Sequence, residues 1–330
     1  MPLNLLRNLS ENEKNNFFIL YFAQQILTLT SSKFLSLGKI KINFVFRLLI
    51  RNFANEKKNK RRKGMMKFIC FGSGSSGNCY LLLSEQSGIM IDAGIGVRTI
   101  KKHMKDRGIA LNRIKHILVT HDHADHIKSV GALSTELGIN VYATEKVHAG
   151  IEQNYVVRSK VKDEHVRYVE KDKMLCLDDF EIMPFTVPHD SQDNVGYCVK
   201  CGDVVFCLMT DAGYVTDKMK HYISEANYLV LEANHDKEML RCGHYPEFLK
   251  QRIASQTGHL SNDECAKAIA ENATPKLRHL WLCHLSEENN HPELARKTVE
   301  SVLASYGIVA DKDFRLDILK RRTPSEIYEL

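Results

Sequence analysis

The chain has 330 residues, 44% hydrophobic and 26% charged, with a formal net charge of +6, a composition and length that suit one large globular domain. No run reaches the roughly 18 uninterrupted apolar residues a spanning helix needs, so none is expected. The charge is unevenly spread: residues 1–64 hold 13 Lys+Arg against 3 Asp+Glu and residues 65–330 hold 33 against 37, so the basic total is no argument for a nucleic-acid-binding body.

Residues 1–64 contain no histidine and no cysteine and carry a charge run at 57–63. Three readings compete. The mixed basic and apolar stretch at 39–53 suits an arm for nucleic acid or membrane. A targeting peptide would need a charged start, an apolar core and a small-residue cleavage site, and that pattern is not clean here. Sequence upstream of a natural start at Met65 or Met66 explains the abrupt change of composition and is preferred. The expected organisation is a basic N-terminal extension over 1–64, disordered or upstream of the natural start, and a catalytic domain over 65–330.

Gly72-Ser-Gly-Ser-Ser-Gly77 follows an apolar strand-like run. Its backbone N–H groups and the hydroxyls of Ser73 and Ser75 could meet a phosphate, although it lacks the Gly-Lys-Ser/Thr of a P-loop, and a flexible hairpin is the alternative. Asp92 closes Ile89-Met-Ile-Asp92; alone it would be a turn residue. The run Ile114-Lys-His-Ile-Leu-Val-Thr120 is rich in β-branched residues and reads as a buried strand. It ends in His121-Asp-His-Ala-Asp-His126, three imidazoles and a carboxylate on one tight loop, which a polar turn explains poorly and a transition-metal site explains well. Asp122 has the opposite parity and is not expected to ligate.

A helix is expected over 129–137. Three more apolar runs each end in a strong ligand type: Phe185-Thr-Val-Pro-His189, Val204-Val-Phe-Cys-Leu-Met-Thr-Asp211 and Leu280-Trp-Leu-Cys-His284. Each such residue alone is more often structural, but together they repeat one pattern. The pair Cys198-Val-Lys-Cys201 reads as a hairpin strand end, not a zinc or redox pair. With Cys70, Cys176, Cys207 and Cys283 in apolar runs and no signal peptide, reduced thiols and a cytoplasmic location are expected. His235 lies in Glu232-Ala-Asn-His235. Ser261-Asn-Asp-Glu264 is a capping box, so His259 sits just before a helix N-terminus, where an anion is favoured. Apolar spacing over 291–303, with Gly307 as a stop, predicts a last helix.

The order H-x-H-x-D-H, His, Asp, His resembles the metallo-β-lactamase-fold hydrolases. Phe71-Gly-Ser-Gly-Ser-Ser-Gly-Asn78, Leu231-Glu-Ala-Asn-His-Asp236, Gly258-His-Leu-Ser-Asn262 and His284-Leu-Ser-Glu-Glu-Asn-Asn290 look like its YycJ/WalJ branch, related to the RNase Z and RNase J nucleases. The resemblance covers about residues 66–328. It implies an α/β fold, an αββα sandwich of two mixed β-sheets with outer helices. It implies two divalent metal ions, zinc or manganese, with His121, His123 and His189 on one, Asp125, His126 and His284 on the other, and Asp211 bridging. Asp92 would orient the metal loop, while Ser73, Ser75, Asn78 and His235 would support the site or face substrate. His259 would act beside Asp211 in catalysis, protonating the leaving oxygen.

The implied activity is phosphodiester hydrolysis of nucleic acid, as a 5′-to-3′ exonuclease on DNA of a repair type. A small-molecule or cyclic-nucleotide phosphodiesterase of the same fold is the rival, since residues 65–330 show no basic track in bulk. Lys237, Arg241, Lys250 and Arg252 could still line a backbone groove, or form a solvated helix face. A regulatory binding protein is the third reading, and seven intact ligand positions argue against it.

Overall fold

A computed structural model describes residues 66–330, and the expectations for residues 1–64 lie outside the described residues. The chain first lays down an antiparallel meander, β1 (Lys67–Gly72), β2 (Cys79–Leu83) and β3 (Gly88–Ile91). Helix α1 (Val97–Asp106) then crosses over to β4 (His116–Leu118), parallel to β3. The short α2 (Ala124–Ile127) and α3 (Val130–Leu137) lead to β5 (Asn140–Ala143), and α4 (Glu145–Gln153) leads to β6 (Val166–Tyr168), all parallel.

The second sheet repeats the plan. Strands β7 (Leu175–Leu177), β8 (Phe180–Thr186), β9 (Val195–Cys201) and β10 (Val204–Met209) are antiparallel. Helix α5 (Asp217–Glu225) leads to β11 (Tyr228–Glu232), parallel to β10. Then α6 (Lys237–Cys242), α7 (Glu247–Ile253) and α8 (Asn262–Asn272) precede β12 (His279–Cys283), and α9 (Pro292–Ser305) precedes β13 (Arg315–Ile318). Finally β14 (Tyr328–Glu329) returns to pair with β1. Each sheet has seven strands, ordered β14-β1-β2-β3-β4-β5-β6 and β13-β12-β11-β10-β9-β8-β7. Parallel neighbours require crossovers, which is why the helices fall where they do.

Strand alternation builds the layers. Phe68, Cys70, Tyr80 and Leu82 join Phe206, Leu208, Val230 and Trp281 of the other sheet in one buried cluster. Ile69, Phe71, Leu81 and Met90 point the other way and pack with Ile100, Met104, Leu133 and Val147 from the helices. Side chains of period two therefore place the main core between the sheets and a second one under the outer helices. Trp281 anchors the inter-sheet core, its ring 4.8 Å from Phe68, and burying such a side chain contributes roughly 2–3 kcal/mol. The expected αββα sandwich is the observed fold.

Local expectations hold as well. Ser261 and Glu264 cap α8 reciprocally. Cys198 and Cys201 lie on β9 in a hairpin with β10, and all nine cysteines are free thiols. The strand expected over 114–120 is shorter, His116–Leu118, because Ile114 closes a 3₁₀ turn on one side and the chain bends at Thr120 on the other. Among the described residues, no helix is long and apolar enough to cross a membrane.

Candidate metal centre

The site residues occupy the C-terminal ends of strands from both sheets. Asp92 follows β3, His121 lies three residues past β4, Asp211 two past β10, Glu232 ends β11 and His284 follows β12. Asp92, Asp211 and His284 all have left-handed backbone, with φ of 58°, 54° and 54°. That conformation costs a residue with a Cβ about 1–2 kcal/mol, so packing and hydrogen bonds must hold it. It ends each strand abruptly. The loop carrying His121 to His126 is seated by Gly94, where an added Cβ would collide with the Asp125 carbonyl. That carbonyl accepts the Asn78 N–H at 2.7 Å, and the His126 carbonyl accepts Ala93 N–H at 2.8 Å.

Each histidine is oriented through the nitrogen it turns away from the centre. Asp92, wholly buried, accepts Thr120 N–H and Oγ1–H, both at 2.8 Å, and the Nδ1–H of His126 at 2.7 Å. Because the Thr120 hydroxyl donates to Asp92, it can accept only from His121 Nδ1–H, 3.0 Å away. His189 Nδ1–H donates to the Gly258 carbonyl at 3.0 Å, and His284 Nδ1–H to Glu232 at 3.0 Å. His123 is reversed, donating Nε2–H to the Asp190 carbonyl at 3.2 Å. In the neutral rings these partners leave lone pairs on Nε2 of His121, His126, His189 and His284 and on Nδ1 of His123.

Those five nitrogens converge with two carboxylates. His123 Nδ1 is 3.3 Å from His189 Nε2. His284 Nε2 and His126 Nε2 are 3.5 and 3.6 Å from Asp125 Oδ2. Asp211 lies between the groups, with Oδ2 3.3 Å from His126 Nε2 and Oδ1 3.5 and 3.8 Å from the Nε2 atoms of His284 and His189. In each of three triads, His121/His123/His189, His121/His126/Asp211 and Asp125/His126/His284, the ligand atoms lie within 4.8 Å of one another. His121 Nε2 is buried without any hydrogen-bond partner among the described residues. An orphaned lone pair facing four more ring nitrogens and two carboxylates fits cations of borderline character.

Without cations the cluster is electrostatically tense. Burial lowers the His284 ring, but Asp211, Asp125 and Glu232 outweigh it and carry its pKa up to about 10. His126 is likewise lowered by burial and raised further by Asp211, Asp92 and Asp125, ending well above its ordinary value. Burial and neighbouring rings push His121 well below its own. Burial raises Asp211, yet His284 and His126 hold it well below the carboxylate range.

Glu232 is the residue that sequence reasoning missed. It is fully buried, and its Oε1 accepts Nδ1–H from both His259 (2.8 Å) and His284 (3.0 Å). Its Oε2 accepts the backbone N–H groups of Ala212 (2.8 Å) and Leu260 (3.2 Å). Glu232 can be grouped with Asp211, His259 and His284 as a ligand set, but with both oxygens doubly occupied it orients the rings instead of ligating. Burial raises its carboxyl and the two rings bring it down to about 2. His259 is lowered by burial and raised above its ordinary value by Glu232 and Asp211, and its ring lies 5.0 Å from that of His189.

The remaining expected residues have varied placements. Ser73 is fully buried, its hydroxyl accepting His284 N–H at 2.9 Å and pairing with Tyr80 at 3.0 Å. It supports the centre from behind, while Ser75 is exposed. The Asn78 amide donates to Asp125 Oδ2 at 3.1 Å and His126 Nε2 at 2.8 Å. His235 is buried beside Ser261. Asp122 takes Gln192 N–H at 3.1 Å, tying the loop down from outside. Asp190, also unforeseen, pairs with Arg252 at 2.5 Å while its carbonyl orients His123.

A protein-family model described as a β-lactamase superfamily domain matches residues 88–284. The chain is 35% identical over 262 residues to the exodeoxyribonuclease YycJ of Bacillus anthracis, covering 79% of this chain and 98% of that one. It is 36% identical over 250 residues to the exodeoxyribonuclease WalJ of Streptococcus pneumoniae, covering 76% and 93%. Among solved structures it is similar to the metallo-β-lactamase-fold protein YhfI from Bacillus subtilis, with a TM-score of 0.58, 18% identity and coverage of 79% and 98%. Zn²⁺-bound PqqB from Methylobacterium extorquens has a TM-score of 0.60, 14% identity and coverage of 79% and 99%. At those identities the solved structures speak for the fold alone.

Proposed function

The chain belongs to the β-lactamase superfamily and is a metal-dependent hydrolase, and from that footing we propose that residues 65–330 act as a two-metal 5′-to-3′ exodeoxyribonuclease. The observation that carries the reading is the set of five oriented ring nitrogens and two carboxylates where both sheets end, on a chain similar over most of its length to proteins named exodeoxyribonuclease. One ion is assigned to His121, His123 and His189, the other to Asp125, His126 and His284, with Asp211 shared; zinc and manganese both suit the donors. When bound, such ions supply an activated water and neutralise the charge that develops on a phosphodiester.

The chain's own residues do the rest. Asp92, Thr120, Gly258 and Glu232 hold the ligand rings in one tautomer, so no reorganisation is needed as substrate arrives. His259, bound at Nδ1–H by Glu232, which also favours the charged ring, can carry a second proton on Nε2 and give it to the leaving oxygen. The free thiols suit a cytoplasmic setting. The test is a digestion panel with Mn²⁺ or Zn²⁺ on 5′- and 3′-labelled single- and double-stranded DNA and RNA, beside bis-p-nitrophenyl phosphate. Stepwise loss of DNA from the 5′ end is expected. Turnover of the small diester with every polymer intact would refute the proposal.

A further inference from the structure

A cavity of about 290 Å³ is lined by His235, Lys237, Arg241, Lys250 and the facing carboxylates Glu247 and Glu264. Its position is fixed by the strand ends that build the metal centre. His235 is three residues past Glu232 and bridges to Ser261, two residues past His259, with Asn262 N–H donating to its carbonyl at 2.9 Å. Asn234, its neighbour, donates to the His284 carbonyl at 2.9 Å. Helix α7 turns its 247, 250, 251 and 254 positions to the cavity, one face at helical spacing.

The lining has the chemistry of an anion site. Three cations face two carboxylates beside Leu240 and Ala254, with Lys250 Nζ donating to the Arg241 carbonyl at 2.8 Å, and Glu264 is engaged in the capping box of α8, accepting from Ser261 Oγ at 2.6 Å and N at 3.0 Å. Lys237 and Arg241 make only solvent-exposed pairs, at 3.4 Å to Glu264 and 2.7 Å to Glu238, and such pairs yield readily to a better anion. His235 is 2% exposed, and its Nδ1 has no hydrogen-bond partner among the described residues. On the same helix, on the flank of the face that lines the cavity, Phe248 is 72% exposed. An exposed aromatic ring on the same short helix as lining cations is a combination with which proteins take a strand, phosphate in the groove and base on the ring.

We propose that this cavity is a strand-binding subsite that takes the phosphodiester next to the scissile one, with its base on Phe248. This rests on the nuclease reading of the metal centre, and it adds what that centre lacks, a grip that only a polymer can use. The variants are Lys237→Ala/Lys250→Ala and Phe248→Ala, all at surface-accessible side chains, compared with the full chain in Mn²⁺ on a 5′-labelled single-stranded DNA and on bis-p-nitrophenyl phosphate. For the lysine pair, kcat/KM on DNA should fall by about tenfold or more relative to the small diester, the usual effect of losing charged hydrogen bonds. The slope of log affinity against log salt should flatten by about 0.7 for one lost phosphate contact on a single strand. Phe248→Ala should weaken DNA by about tenfold with the slope unchanged, since stacking releases no counterions.

If the parent digests DNA and the lysine variant keeps the parent's substrate ratio and salt slope, the subsite is wrong while the nuclease reading stands. Equal loss on both substrates would place these residues at the metal centre and overturn the subsite too. If the parent turns over the small diester but leaves DNA intact, the nuclease reading falls and the subsite falls with it.

Discussion

Replacing Glu232 by glutamine changes one atom, and the structure dictates where the damage goes. The carboxylate accepts four N–H groups, two from imidazoles at Oε1 and two from backbone at Oε2. A glutamine must turn its NH₂ toward one of these pairs. Facing the backbone, it would oppose two donors that cannot change sign. Facing the rings, it lets each imidazole move its proton from Nδ1 to Nε2 and accept at Nδ1. That is the cheaper choice, and it places a proton on the His284 nitrogen assigned to the metal. Loss of an orienting partner of this kind typically costs 10–100-fold in metal affinity or activity, about 1.4–2.7 kcal/mol. Volume is conserved, so the fold should survive. A competition titration against a chromophoric chelator, run with thermal melting, reads both quantities. Parent-like affinity and turnover in Glu232→Gln would refute the tautomer argument.

His123→Ala or Asp211→Ala should abolish hydrolysis and lose at least one ion by metal analysis while the protein stays folded; full metal content with normal turnover would sink the two-metal assignment. His259→Ala should keep its metals and lose roughly 10²–10⁴ in kcat on DNA, and much less on p-nitrophenyl esters, whose leaving group needs no proton; equal losses would point to orientation instead. Because the surrounding carboxylates raise the imidazoles of His126 and His284 above their ordinary value, loading metal should expel protons, and affinity should weaken as pH falls. Calorimetry in buffers of different ionisation enthalpy checks this, and zero net release near pH 7 would contradict it. A chain starting at Met66 should fold and hydrolyse like the full one, since every assigned ligand lies beyond that point; a large loss of DNA affinity on truncation, strongest at low salt, would make residues 1–64 a binding arm.

The convergence of His121, His189, Asp211 and His284 was legible because each is the first strong donor type after an apolar run, and a strand exposes its end wherever it is buried along its length. The layers were legible for the same reason, as at Phe68 and Ile69, whose opposite faces need no tertiary knowledge. Glu232 was not. A glutamate ending Tyr228-Leu-Val-Leu-Glu232 looks like a strand terminus, and its partners arrive from 27 and 52 residues away. Ser73 misled in the opposite sense: its glycine-rich setting suggests an open phosphate loop, yet Tyr80 and the His284 amide claim its hydroxyl. Which way a hydroxyl turns depends on what the second sheet brings to it. The cavity at His235 needed three separate helices to be placed.

The left-handed backbone at Asp92, Asp211 and His284 sets intrinsic backbone preference against the bonds the side chains make. Glycine would relax each of these positions, and an asparagine at 92 or 211 would bear the turn nearly as well. The side chains oppose that change, because glycine at 92 would strip the acceptor from Thr120 N–H, Thr120 Oγ1–H and His126 Nδ1–H, and glycine at 284 would remove the donor to Glu232. The bends are therefore kept by the bonds they carry, and the chemistry sits where the chain bends least willingly.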